Sequence, residues 1–199
     1  FHLVKPKKLD DNNVDFQGLK FNLQNLTHKK IIWYMFKASL YHLSMHSCMS
    51  DFSVYSKWAR GRQPNLSTFT ISLLEDVILN NRLKRSFQWM LPEIAYANTI
   101  SFLRMKDAEE LSNDISRIMT SVLLNYNLRK VKGNLSDEMF TEVGGVTSIL
   151  CKIGETPTAD EKVDAATKIY DAMALYGETF EVPSLLYTES HGTNDLFYD

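Results

Sequence analysis

The stretch Thr158-Ala-Asp-Glu-Lys-Val-Asp-Ala-Ala-Thr-Lys-Ile-Tyr-Asp-Ala-Met-Ala-Leu-Tyr-Gly177 contains a complete helix grammar. Thr158 and Glu161, three apart after Pro157, form a capping box: the hydroxyl and the carboxylate accept from the free amides of a helix start. Val163, Ala166, Tyr170 and Met173 then recur at helical spacing, and Gly177 stands where a left-handed terminator belongs. Strands would require alternation, which this run lacks. A chain whose sharpest local signal is a capped amphipathic helix points toward an all-α fold.

Reading outward gives the same grammar repeatedly. Ser136-Asp137-Glu138 opens a helix carrying Met139, Phe140, Val143, Val146, Ile149 and Leu150, with Gly144-Gly145 inside it. Each of those glycines costs about 1 kcal/mol against Ala, which implies a close backbone approach or a bend. Lys132-Gly133-Asn134 breaks the chain before it, and Asp107-x-x-Glu110 is a second capping box, ahead of the stripe Leu111, Ile115, Ile118, Val122. Arg82 to Met105 is interrupted at Pro92, which has no amide to donate, so two helices meet at a corner with Pro92 opening the second. A helix is predicted over Ser67 to Asn80, after a connection ending in Gly61-Arg62-Gln63-Pro64-Asn65, and another from His28 to Ser47 with Thr27 as its cap. Apolar residues nearly encircle the His28–Ser47 helix, as in a helix at the centre of a bundle or sandwiched by partners. The expected architecture is an all-α, irregular bundle of six or seven helices: an extended N-terminal arm over 1–27, a helical domain over 28–177 and a C-terminal tail over 178–199, with strand signal only in pieces such as Phe180 to Val182.

The chain has 199 residues, 44% of them hydrophobic and 12% aromatic, enough for a packed core. Charge is divided by position: residues 1–135 hold 19 Lys and Arg against 11 Asp and Glu, and residues 136–199 hold 3 against 13. Such a split suggests that one part meets something anionic while the other repels it or docks on a basic partner. Cys48 and Cys151 are too few for a disulfide framework and read as reduced, buried thiols. Ile31 to Met45 is the most apolar run but includes Lys37 and His42, which argues for a soluble or peripherally attached protein. The first residue is Phe1, compatible with presequence removal or with truncation.

Candidate sites are sparse. His42 and His46 fall on one helical face a turn apart, with Cys48 nearby, but no spaced companion supplies further ligands, so they read as ordinary partly buried histidines and no metal is assigned. Asn25, Asn65 and Asn134 each begin an Asn-Leu-Ser/Thr triplet and read as helix caps rather than glycan acceptors. No Gly-rich phosphate loop or nucleophile motif is present, so no catalytic residue and no cofactor are assigned, and a non-enzymatic role is expected. Lys57, Arg60, Arg62, Arg82, Lys84 and Arg85 flank Trp58, Phe87 and Trp89, a mixture able to meet RNA, anionic lipid headgroups or an acidic protein face.

The run Arg82-Leu-Lys84-Arg85-Ser-Phe-Gln-Trp-Met-Leu-Pro92-Glu93, with Glu75-Asp76-Val77-Ile78 upstream and Tyr96, Ala97 and Arg104 downstream, resembles a segment of the small matrix-side helical subunit of the mitochondrial cytochrome bc1 complex, the ubiquinone-binding protein or subunit 7. The likeness covers about residues 75–104; the family's later Leu-Pro…Trp element and charged terminal helix have no counterpart. The resemblance implies a non-catalytic accessory subunit, peripheral on the matrix side of the mitochondrial inner membrane, held by other protein subunits and touching anionic lipid through Arg82, Lys84 and Arg85. The alternative expectation is an RNA-binding structural protein of the nucleocapsid or coat type.

Overall fold

The computed structural model describes residues 5–17, 19–177 and 180. Apart from Phe180, the expected tail and the strand ending at Val182 lie outside them. The chain is all-α but for one small sheet: among the described residues the α-helices are α1 (Leu26–Met49), α2 (Ser56–Ala59), α3 (Pro64–Ser86), α4 (Leu91–Arg104), α5 (Asp114–Leu128), α6 (Asp137–Lys152) and α7 (Ala159–Ala174), joined in places by short 3-10 turns.

The N-terminal segment departs from the extended arm expected of it. Lys7–Lys8 (β1), Asn13–Phe16 (β2) and Leu19–Asn22 (β3) make an antiparallel sheet in the order β1-β2-β3, with Val14 opposite Phe21 and Phe16 opposite Leu19. Asp10 closes the first turn, its carboxylate accepting from the amides of Asn12 and Asn13. Val14, Phe16 and Phe21 are buried against Met35 of α1, with Ile31, Ile32 and Phe36 around them. Strands of two to four residues are too short to establish a period, which is why the sheet was not legible.

The cap of α1 is Asn25, whose carboxamide accepts from the amides of Thr27 and His28; the expected cap, Thr27, is already helical. Of the other two Asn-Leu-Ser/Thr triplets, Asn65 lies inside α3, capped by Gln63, and the third caps α6 through Ser136 rather than Asn134.

The centre of the bundle is α3. It begins at Pro64, where a first-turn proline is pre-organised, and runs unbroken through Asn80-Asn81 to Ser86, longer than the Ser67–Asn80 segment expected. Fourteen of its 23 residues are buried, including Leu66, Ile71, Leu74, Val77 and Leu83, against seven of 24 in α1. The corner at Pro92 forms as its chemistry requires, a 3-10 turn (Gln88–Met90) followed by α4 with proline in its first turn. The Asp107–Glu110 box is formed but caps only a single 3-10 turn; α5 is capped separately by Asn113, whose carboxamide accepts from the Ser116 amide. Ile115, Ile118 and Val122 are buried as the stripe predicts.

The capping box of α7 is present in both directions, but the buried face is Lys162, Ala165, Ala166, Ile169 and Met173, turned slightly from the expected one, so that Val163 and Tyr170 lie at its margin. In α6, Gly144 and Gly145 are exposed, and a methyl group at either would meet nothing within 4 Å, so close approach is not their purpose. Gly144→Ala and Gly145→Ala together are expected to raise the unfolding free energy by about 1–2 kcal/mol, since only helix propensity changes. Denaturant midpoints at unchanged slope would show it; a destabilised double variant would mean that the helix is bent there.

Candidate functional site

Three groups of side chains stand out once the bundle is assembled. The first is a surface ladder along the antiparallel seam of α1 and α4. Tyr34 packs on Tyr96 with centroids 5.4 Å apart, and one turn on, Lys37 donates to Glu93. Another turn on, Tyr41 meets Trp89 edge-on at 5.2 Å. The Lys37 ammonium also lies 5.9 Å from the Trp33 ring and 5.1 Å from that of Tyr34, and Glu93 holds it above its usual range. Trp33 and Trp89 remain 57% and 62% exposed, with Tyr34 and Leu40 open beside them. The apolar residues that encircle α1 are thus divided between the sheet, the bundle and this open face.

The second group is the basic cluster, which the fold splits in two. Trp58 is buried, its indole N–H donating to the Thr167 hydroxyl of α7 at 2.9 Å. The Arg62 guanidinium covers it at 4.6 Å, lies 5.5 Å from the Tyr170 ring and donates to the Trp58 carbonyl. This half ties α2 to α7; Lys57 and Arg60 are exposed at its edge. Arg82, Lys84 and Arg85 sit far along α3: Arg82 is half-buried, Lys84 lies 5.8 Å from the Tyr126 ring, and Arg85 pairs with Glu155 from the α6–α7 loop. Part of the charge division along the chain is therefore closed internally.

The third group is buried and comes from adjacent residues of α3. Glu75, 1% exposed, accepts from Lys162 Nζ of α7 at 2.7 Å and from the Tyr55 hydroxyl at 2.8 Å. Burial, then the carboxylate beside it, pushes the Tyr55 phenol far up, so it stays a donor. Asp76 faces α1, where both histidines are fully buried rather than partly so. Asp76 Oδ1 lies 3.0 Å from His46 Nε2 and 3.3 Å from His42 Nε2, and the two nitrogens are 3.1 Å apart. Ser50 Oγ, 2.7 Å from His46 Nδ1, holds that ring with Nε2 inward. Burial lowers the pKa of His42, Asp76 opposing the shift. Spacing alone paired the two histidines; the third member, 30 residues on, carried no sequence signal. Cys48, two residues beyond His46, is exposed, and so is Cys151, against the buried thiols expected.

A cleft of about 640 Å³ between α6 and α7 has each carboxylate engaged: Glu161 in its cap, Asp164 with Lys168, Glu155 with Arg85. Among the described residues no helix is long and apolar enough to cross a membrane. No family model, curated protein or solved structure matches this chain.

Proposed function

We propose that this chain is a non-catalytic helical accessory subunit that works by docking on other proteins of a larger assembly. The observation that carries the reading is the α1–α4 ladder: two tryptophans more than half exposed, within a row of tyrosines stiffened by a lysine–glutamate pair. Rigid aromatic side chains cost little entropy to immobilise and dominate protein interfaces, whereas exposing them without a partner is unfavourable. The resemblance around Pro92, at one end of this ladder, makes a bc1-like respiratory complex of the mitochondrial inner membrane the first assembly to examine, with Arg82 and Lys84 available to lipid headgroups beside it. Protein contact is favoured over single-stranded RNA because Trp58, which an RNA groove would need open, is stacked under Arg62.

The test is affinity purification of the tagged full chain from its own cells, beside the Trp33→Ala/Trp89→Ala variant. Discrete protein subunits should be retained by the unaltered chain and weakened by at least about 30-fold in the variant, since exposed tryptophans at an interface act as hot spots. Because both rings are largely outside the core, the variant's melting temperature should move little. Recovery of nucleic acid in place of protein, or a partner indifferent to both substitutions, would defeat the reading.

A further inference from the structure

From the triangle of His42, His46 and Asp76 we infer a binding site for a divalent first-row transition ion, with zinc as its simplest occupant. Protons alone serve this arrangement badly. If both Nε2 atoms carry hydrogen and donate to Asp76 Oδ1, two N–H groups face each other across 3.1 Å; if only one does, a lone pair of the other imidazole faces the carboxylate. A single cation at the centre satisfies all three atoms together. The edges suit it: donors about 2.0–2.1 Å from a tetrahedral zinc stand roughly 3.3–3.4 Å apart, and donors of a six-coordinate ion at about 2.1–2.2 Å stand roughly 3.0–3.1 Å apart. The edges of the triangle, 3.0 to 3.3 Å, fall across that interval.

The surroundings are those of a built site. His42 and His46 are one helical turn apart on α1, which brings both rings to one face. Asp76 reaches them from α3, and Ser50 fixes the tautomer-bearing side of His46, the outer-shell role that ligating imidazoles usually require. Two imidazoles and one carboxylate suit zinc, iron, cobalt or nickel better than magnesium or calcium. A small oxygen donor from solvent would complete the coordination. The spacing equals that of the H-E-x-x-H hydrolase signature, but the position of its general base holds Leu43, which is buried and cannot take a proton. The ion's work here is therefore to fasten α1 to the central helix, beneath the face that α1 offers to partners.

The experiment uses the full chain with Cys48→Ser and Cys151→Ser, which removes exposed thiols as competing ligands. After chelation and dialysis, zinc titration should give one ion per chain and, at about a hundredfold excess over Kd, raise Tm by roughly 5–10 °C. Asp76→Asn, His42→Gln and His46→Gln should each weaken binding by at least about 10-fold, while His28→Gln, whose ring serves the Asn22 amide, should leave it unchanged. Should the ligand variants fail to fold, the thiol-free chain decides alone: added zinc must shift the ring ¹⁵N resonances of two histidines, and cobalt must give a d–d spectrum whose intensity reports four or six ligands. No stoichiometric uptake, uptake undiminished in Asp76→Asn, or a zinc-saturated spectrum with unmoved imidazoles would overturn the site.

Discussion

Replacing Lys162 by Met is expected to destabilise the protein by about 3–5 kcal/mol, more than any surface substitution. The reason is the position of Glu75. Its carboxylate sits in the middle of the central helix, 1% exposed, with two donors converging on one oxygen: Lys162 Nζ at 2.7 Å and the Tyr55 hydroxyl at 2.8 Å. Removing the ammonium leaves an anion in the core with a single neutral hydrogen bond, and the cost is that of an uncompensated buried charge. The value of the pair against an apolar replacement is far smaller, because both charges lose their hydration in forming it. The double variant Glu75→Gln/Lys162→Met should accordingly recover most of the loss, giving a coupling of at least about 2 kcal/mol in a denaturation cycle. Additive single effects would mean that solvent reaches Glu75 and that the network is not dry.

The helices were legible because their ends are written in local chemistry. Pro92 has no amide to give, Thr158 and Glu161 exchange bonds across one turn, and Asn113 and Asn25 cap within three residues, so each signal acts over distances the sequence displays. Boundaries slipped where two good caps compete: Thr27 beside Asn25, and the Asp107 box ahead of Asn113. Patterning also left α1 as either the centre of a bundle or a helix sandwiched by partners, and α3 holds the centre instead. Apolar residues all round an axis say that every side meets something, but not whether that is the bundle, a sheet or a partner, and α1 meets the first two while leaving Trp33 and Leu40 open.

The buried polar groups were the illegible part. Glu75 and Asp76 look like one acidic step in a helix, and successive residues on a helix point about 100° apart. That turn sends Glu75 to α7 and Asp76 to α1, so one dipeptide anchors two networks, with Lys162 87 residues from Glu75 and His46 30 residues from Asp76. Nothing in the spacing of Lys162, His42 or His46 announces those meetings. The charge division was legible as a total, but Arg85–Glu155 uses part of it within the chain, whereas Lys162–Glu75 joins the minority charge of each part and leaves the division as wide as before.

The second large effect is expected at a glycine. Gly133→Ala should cost about 3 kcal/mol and lower Tm by roughly 6–12 °C. Its φ of +80° already penalises any side chain, and a Cβ there would stand 2.6 Å from the Ala108 nitrogen and 3.0 Å from Asp107 Cβ, besides colliding with the Glu109 carboxylate. Those neighbours are not free to yield. The Ala108 amide donates to the Lys132 carbonyl, Glu109 accepts from the Asn134 amide at 2.7 Å, and Lys132 reaches back to the Met105 carbonyl, so the loop before α6 is clasped to the turn before α5 on both sides of Gly133. Gly61 supplies the control: its φ is +76°, but nothing lies within 4 Å of the added carbon, so Gly61→Ala should show the backbone strain alone, about 1 kcal/mol. The difference between the two variants measures the collision. Acid should narrow the gap for Gly133→Ala, because the Asn134 amide holds the Glu109 carboxyl below its usual range: the clasp contributes above the ordinary carboxylate pKa and fades as pH falls through the lowered one. Equal losses at the two glycines would mean that the clasp gives way and that α5 and α6 are joined more loosely than their packing implies.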